Sequence, residues 1–477
     1  MKNYLTLFCV SVSILLNAQS VPSSIANWKN NAKGAYSIIH DDYGNIGVDG
    51  IWQYADTIAS NRGLKFTFGA ISADCEVSRV VNGESSPYAY AKNVMMAQHN
   101  HEIINHSHTH NCAVARGWSP CDVTGWGEDV GGVLWSTELN TSHSSIITGT
   151  GFQPRYYIFP YDQFTDAANA ELYSKGYLGS RTGWHADGLH TPFYKNGYEA
   201  NDENLFTSDA NGFFRTSVQV FDNTDQGNSV FGQTAELNSV VDNAISNNEW
   251  GNRELHDVGG VGWGSVKVEA YRDHMDYVQS KVSSGDLWMP TMSEALTYQI
   301  QKLVYTPVAI YNDWTKKINI TFTEDHSNVS VDVGTYLSPL TIKTPVTIML
   351  DVSSYGASMD FANVVVKQGE SNISEHTLDG NTFFVNLYPS DGSFTIEEDV
   401  ATSTTDTEEN SEFVAYPNPA NDVIYVKGDV KSISVYSSAS QELLVSKNNQ
   451  VDLSSLTAGV YFIKVNNSGS LIKFVKQ

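Results

Sequence analysis

Residues 98–110 read Gln98-His99-Asn100-His101-Glu102-Ile103-Ile104-Asn105-His106-Ser107-His108-Thr109-His110. Within them Glu102-Ile103-Ile104-Asn105 is a short strand-like run, and it empties directly into His106, His108 and His110. Five of the thirteen histidines of the chain fall between His99 and His110, and such clustering asks for a reason. His106 and His110 are four residues apart, so a helical turn starting there would project both imidazoles from one face, a geometry suited to a single metal ion. The competing reading is a His-rich tract with adventitious metal affinity.

Working outward, a second strand-like run, Ala35 to Ile39, ends in His40-Asp41-Asp42. Successive side chains at a strand end point in different directions, so one carboxylate can ligate a metal while its neighbour reaches a water on that metal. A turn or helix-capping Asp pair is the plainer alternative. Further apolar runs at 64–71, 155–161, 177–181, 254–256 and 287–289 read as strands. They alternate with amphipathic stretches at 50–60, 89–98, 166–175, 234–246, 266–282 and 293–303 that read as helices. Alternation of this kind predicts an α/β fold with parallel strands, open or closed into a barrel, whose active site is built at the C-terminal ends of the strands. After Val304 the pattern changes to short half-buried strands (318–322, 329–333, 346–352, 364–366, 382–386), which predicts a β-sandwich.

Asp41-Asp42 after the first strand and the Glu102–His110 stretch at the third resemble the polysaccharide deacetylase family, also called the NodB-homology or carbohydrate esterase family 4 domain. The resemblance spans about residues 34–303. It implies a distorted (β/α) barrel that removes acetyl groups from sugars with one divalent metal. Carried over by position, Asp41 is the expected general base, and Asp42, His106 and His110 are the expected metal ligands. Ser107 would brace the loop, and His108 falls at a variable position of the motif. Zinc suits two imidazoles and a carboxylate best, with cobalt, nickel and manganese also compatible. The family's Arg-x-Pro-Tyr motif appears here as Ile158-Phe159-Pro160-Tyr161. Pro160 and Tyr161 match, but Ile158 stands where the family has the arginine that orients the base, leaving Arg155 and Arg181 as candidates to replace it. The main-chain N–H of Tyr161 would remain available to an oxyanion. Leu255-His256 matches the last motif, making His256 the expected general acid, with a buried structural histidine as the alternative.

The ends of the chain give an address. Lys2 followed by an apolar run from Tyr4 to Leu16 and a small-residue exit at Ala18 predicts a secretory signal peptide over residues 1–18, too short to span a bilayer. Of the four cysteines, Cys9 would leave with it, Cys112 and Cys121 bracket a loop and could pair, and Cys75 is expected to be a buried small hydrophobe. Residues 397–411 (EEDVATSTTDTEENS) read as a linker. The last stretch, 412–477, carries Tyr416-Pro417-Asn418-Pro419-Ala420-Asn421-Asp422 and Leu456-Thr457-Ala458-Gly459-Val460-Tyr461, and resembles the C-terminal sorting domain of the type IX secretion system. That resemblance implies export through the periplasm to the cell surface or beyond, with the type IX machinery as a partner.

The expected organisation is therefore a signal peptide (1–18), a deacetylase-type (β/α) barrel (19–303), a β-sandwich (304–396), a linker (397–411) and a second small all-β module (412–477). A net charge of −25, with only 17% charged residues against an average near ~25%, disfavours nucleic acid and anionic membranes as partners. It suits a secreted protein acting on an uncharged glycan. Three tryptophans (Trp118, Trp126, Trp135) in the insertion 111–135, and the aromatic insertion 183–233, could stack on sugar rings or simply pack their own loops. Trp184 and Trp288 are expected to pack near the cleft. The expected activity is hydrolysis of N-acetyl or O-acetyl groups of a polysaccharide or oligosaccharide with release of acetate. The alternative is a non-catalytic surface carbohydrate-binding or adhesion protein on a degenerate deacetylase fold.

Overall fold

A single sheet, parallel but for one short edge strand, organises the N-terminal part of the molecule. The computed structural model describes residues 18–111, 133–164, 171–172, 174–181, 184–185, 198–199, 214–216, 219–221, 229–326, 344–356, 358–369, 371–373, 375–399, 413–428, 430–437, 442–466 and 471–477. Residues 1–17 of the expected signal peptide, Cys112 and Cys121, Trp118 and Trp126, the expected strand 329–333, much of the expected helix 166–175 and most of the expected linker lie outside the described residues.

The sheet runs in the order Tyr198–Glu199, Glu249–Leu255, Gly34–Tyr43, Thr67–Ala70, Glu102–Asn105, Tyr156–Ile158, Gly179–Arg181 and Phe214–Thr216. Only Tyr198–Glu199 is antiparallel to its neighbour. Phe214–Thr216 pairs with Gly179–Arg181 at one edge, and Gln219–Val220, a few residues on, pairs with Arg253 and Glu254 towards the other. One short segment thus serves both sides of a curled sheet, giving a distorted barrel. Gly34–Tyr43 lies near its centre and is buried at nine of its ten positions, as expected where both faces are covered.

Helices pack outside this sheet. Val230–Asn247 and Val268–Ser283 bury Leu237, Val240, Val241, Ala244 and Ala270, Tyr271, Met275, Val278 respectively, a spacing of three and four that keeps one stripe facing the strands. A helix at Val133–Thr150 is absent from the sequence-based expectation. Among its described side chains the buried ones are Glu138, Leu139, Ser142, Ile146 and Thr150; three of these five are polar, so the apolar stripe that betrays a helix is broken.

The described chain begins in a strand of another layer. Ala18–Val21 pairs antiparallel with Tyr305–Asn312, and Ser23–Ile25 with Val346–Asp351. They complete two antiparallel sheets built mainly from residues 305–398, with Val21, Ile318, Ile320, Ile348, Val366, Phe383 and Ile396 among the core between them. Residues up to Asp399 form one compact unit. The second unit, from Val400, has a three-stranded and a four-stranded antiparallel sheet around Ile424, Val426, Ile433, Val435, Ile463 and Phe474. The architecture is α/β with a curled parallel sheet, followed by all-β modules.

Candidate active site

The central strand delivers its two carboxylates through a break in register. Its pairing with Thr67–Ala70 is regular up to His40 and shifts before Tyr43, and Asp42 sits in the left-handed region at φ 62°. A bulge re-aims side chains that regular pleating would send to opposite faces. Here it turns both carboxylates towards His106, whose Nε2 lies 3.8 Å from Asp41 Oδ2 and 3.2 Å from Asp42 Oδ1.

His106 leaves the end of strand Glu102–Asn105, and the chain that follows is a loop, not the helical turn expected from the four-residue spacing. Its N–H groups are taken by side chains instead of helix carbonyls. Ser107 N–H donates to Asn105 Oδ1 at 2.9 Å and His110 N–H to Ser107 Oγ at 3.0 Å. Those of His108 and Thr109 donate to Glu138 Oε2 at 2.7 and 2.6 Å. Such local bonds compete with helix formation. With Ser107 at φ 69° and His110 at φ 60°, the loop folds back until the two Nε2 atoms are 3.1 Å apart. Ser107 braces this loop, whereas His108 turns away to bond Ser72 Oγ at 2.7 Å. Gly69 makes room beneath: a Cβ there would stand 2.7 Å from Ile158 Cδ1 and 3.2 Å from His106 Cβ.

Three potential ligand atoms therefore converge. His106 Nδ1 donates to the Ile158 carbonyl at 3.0 Å, which leaves Nε2 as the ring atom facing Asp42; burial opposes charging of this ring, but Asp41 and then Asp42 outweigh it and raise its pKa. Burial, reinforced by His106, lowers the His110 pKa to about 4, so this ring is neutral. Asp42 Oδ1, 3.2 and 3.3 Å from the two Nε2 atoms, is buried with no hydrogen-bond partner. Burial opposes ionisation of Asp42, but the surrounding histidines, His106 first, outweigh it and hold its pKa well below the ordinary value. A carboxylate oxygen and two imidazole nitrogens this close need a positive charge among them, either the proton that Asp41 and Asp42 draw onto His106 or a metal ion that displaces it. The set fits a divalent ion bound by two imidazoles and a carboxylate.

Asp41 is 1% exposed and is gripped by Arg181, whose Nη1 and Nη2 donate to Oδ1 and Oδ2 at 2.9 and 2.6 Å. Burial pushes the Asp41 carboxyl up, but the Arg181 charge, helped by His106, more than reverses this and leaves it below its usual value. Arg181 is the register partner of Ile158 on the adjacent strand. The guanidinium missing from position 158 thus arrives from the next strand at the same level. Arg155 is engaged elsewhere, donating to the Gly176 carbonyl at 2.8 Å.

His256 follows strand Glu249–Leu255, with Nε2 4.0 Å from Asp42 Oδ2 and 3.8 Å from Glu254 Oε1. Its carbonyl accepts from His40 Nδ1 at 3.0 Å, while His40 Nε2 accepts from the Tyr271 hydroxyl at 3.0 Å. Glu254 also lies 3.6 Å from Arg181 Nη1, so one guanidinium stands between two buried carboxylates. Tyr161 occupies a tight turn at φ 55°, its ring 4.7 Å from that of His110. Trp288 packs against Tyr298 with ring centroids 5.2 Å apart, and the Trp184 side chain lies outside what is described.

Glu138, Glu254 and Trp263 carry no motif and escape the sequence reading. A signal for Glu254 does exist, two residues before His256 on one face of its strand. Two other acidic and histidine clusters are already satisfied. In the cluster of Asp41, Glu254 and His256 the two carboxylates flank the Arg181 cation. In the cluster of Asp56, His99 and His101, Phe66 N–H donates to His101 Nδ1 at 3.0 Å. That places the His101 proton on Nε2, facing Asp56 Oδ1 at 3.0 Å, so this ring anchors a carboxylate and offers no lone pair to a metal.

Solved structures with a similar chain path include the carbohydrate esterase family 4 domain of a multidomain xylanase from the hindgut metagenome of Trinervitermes trinervoides, at 14% identity and TM-score 0.32, covering 55% of this chain and 90% of that one. A family 4 acetyl xylan esterase from Clostridium thermocellum, in complex with a cobalt ion, matches at 15% identity and TM-score 0.32, covering 55% and 90%. A family 4 pseudoenzyme from Bacillus anthracis matches at 13% identity and TM-score 0.33, covering 56% and 66%. No curated protein sequence matches the chain. Among the described residues no helix is long and apolar enough to cross a membrane. Residues 414–477 match the family model of the secretion system C-terminal sorting domain, so the chain ends in a sorting domain of the type IX kind and is a secreted or cell-surface protein.

Proposed function

We propose that the protein is a metal-dependent carbohydrate deacetylase that hydrolyses N-acetyl or O-acetyl groups of a glycan and releases acetate. The observation that carries this reading is the convergence of Asp42 Oδ1, His106 Nε2 and His110 Nε2 within 3.3 Å of one another beside a separate, arginine-clamped carboxylate. Asp42, His106 and His110 would hold the ion, with zinc the best fit to that donor set. A divalent cation, when bound, polarises the acetyl carbonyl and acidifies a water molecule.

The protein's own groups divide the remaining work. Asp41 is the general base: Arg181 fixes its orientation and keeps it ionised, ready to take the proton of the attacking water. The main-chain N–H of Tyr161 is the donor assigned to the oxyanion that forms as water oxygen bonds to the acetyl carbon. His256 gives its proton to the sugar nitrogen or oxygen as the bond to the acetyl carbon breaks. Glu254, 3.8 Å from its Nε2, supports the charged ring.

The test is acetate release from chitin oligomers, acetylated xylan and poly-N-acetylglucosamine, with chelator and then with zinc restored. Activity lost on chelation, regained with metal and absent from Asp41→Asn protein is the expected outcome. Glycan binding without acetate release, with metal present, would establish the non-catalytic reading instead. That alternative rests on the absent motif arginine and on the β-rich module at 304–396, and Arg181 on Asp41 weakens the first ground.

A further inference from the structure

Next to the candidate acid lies an aromatic ring with no role in the reaction described above. Trp263 is 60% exposed, and its ring meets His256 edge to face, with centroids 4.8 Å apart and planes at 79°. The loop that presents it is closely tied down. Asp257 accepts from Gly50 N–H through Oδ1 at 2.8 Å and from Gly262 N–H through Oδ2 at 3.3 Å. Gly259 N–H donates to Val266 O at 2.7 Å, and Val266 N–H to Asp257 O at 3.0 Å. Gly259 and Gly264, at φ 75° and 60°, turn the chain in and out of the loop, and a Cβ at Gly264 would stand 3.0 Å from Phe221 O. The loop abuts the one that follows Asp42, since a Cβ on Gly262 would lie 2.9 Å from Gly47 O. On these two loops Val261 and Ile46 are 97% and 78% exposed.

A large aromatic side chain held in water by a well-bonded loop gains nothing for folding from its open face. Its place beside His256 indicates what covers it. An acid that protonates the leaving atom of a sugar must come within about 3 Å of that atom, so the ring bearing the acetyl group sits against His256. Because Trp263 touches His256, a sugar held against the acid lies within reach of the indole, and its C–H face packs on an indole as other apolar groups do. We infer that Trp263 is a substrate-positioning residue that stacks on a pyranose ring at or next to the acetylated unit. Stacking on an indole favours β-linked sugars whose hydroxyls are all equatorial, since only C–H groups then stand on the stacked face. The inference rests on the deacetylase reading only for placing the sugar over His256.

The experiment compares wild type, Trp263→Ala and Trp263→Phe. In calorimetry on Asp41→Asn protein, the tetramer of β-1,4-linked N-acetylglucosamine or acetylated xylotetraose should bind, and Trp263→Ala should weaken binding by roughly three- to tenfold. Phenylalanine should restore most of the loss. β-1,4-Mannotetraose, with its axial hydroxyl, should bind more weakly and respond less. In turnover, Trp263→Ala should raise KM for the oligosaccharides by a similar factor with kcat little changed, lowering the ratio of oligosaccharide to aryl-acetate efficiency. Equal affinity and KM in wild type and Trp263→Ala would overturn the inference, as would no binding of any of these oligosaccharides by the parent protein. Absence of acetate release from every substrate, with Trp263-dependent binding intact, would overturn the deacetylase reading alone.

Discussion

Arg181 holds Asp41 through both terminal nitrogens, at 2.9 and 2.6 Å, from a strand position directly beside Ile158. Removing one partner of a buried, bidentate pair leaves an uncompensated charge, which costs about 3–5 kcal/mol. Arg181→Gln should therefore lower the melting temperature and cut acetate release by ~100-fold or more. Because residues 158 and 181 are level on adjacent strands, the double variant Ile158→Arg/Arg181→Ile should recover part of both losses. A double variant no better than Arg181→Gln would show that the level of the guanidinium is not what matters.

Metal binding should be separable from turnover. Wild-type protein titrated with zinc should take up one ion tightly, and excess zinc at 100 times its dissociation constant should stabilise the fold by about 2.7 kcal/mol. His106→Ala, His110→Ala and Asp42→Ala should each abolish that stabilisation, whereas Asp41→Asn, altering a group outside the trio, should retain it. Zinc-dependent melting that survives in all three would place the ion elsewhere.

The metal loop hangs on a residue without a motif. Glu138 accepts from the N–H groups of His108 and Thr109 and from Asn111 Nδ2 at 3.1 Å, and so fixes the path from His106 to His110. Groups that orient ligands typically govern 10- to 100-fold in metal affinity. Glu138→Ala should lose about that much zinc affinity while Glu138→Gln, which keeps one acceptor oxygen, loses less. Equal zinc affinity in Glu138→Ala and wild type would reduce Glu138 to a helix-surface residue.

How much of this was legible in the sequence follows from what each feature depends on. Strand Glu102–Asn105 appears with its expected limits, and strand Gly34–Tyr43 contains the expected run, because uninterrupted apolar stretches ending in polar clusters leave little choice. Asp41-Asp42 and His106/His110 were visible as clusters along the chain. The way they meet was not: it depends on a bulge and three left-handed residues, Asp42, Ser107 and His110, and neither feature leaves a periodic trace. Arg181 and Ile158 are neighbours only through strand pairing, which one chain cannot reveal by spacing. Helix Val133–Thr150 hid because Ser142 and Thr150 fill buried positions where an apolar side chain would have signalled it.

Glu102 provides a pH test away from the site. It is 3% exposed, bonded by Ser293 N–H at 3.1 Å through Oε2, and its Oε1 is buried with no hydrogen-bond partner. Burial raises its pKa from 4.5 to about 7. Between those values the folded state binds more protons than the unfolded one, so stability falls as pH rises from about 4.5, and the loss is complete above about 7. The full effect is on the order of 3 kcal/mol. Glutamine has the same shape and never ionises, so Glu102→Gln should melt above wild type at pH 8 and close to it or below at pH 5. Other titrating groups cancel when the two proteins are compared at each pH. A difference between them that is the same at pH 5 and pH 8 would mean that the Glu102 carboxyl does not change its charge in the folded protein over that range.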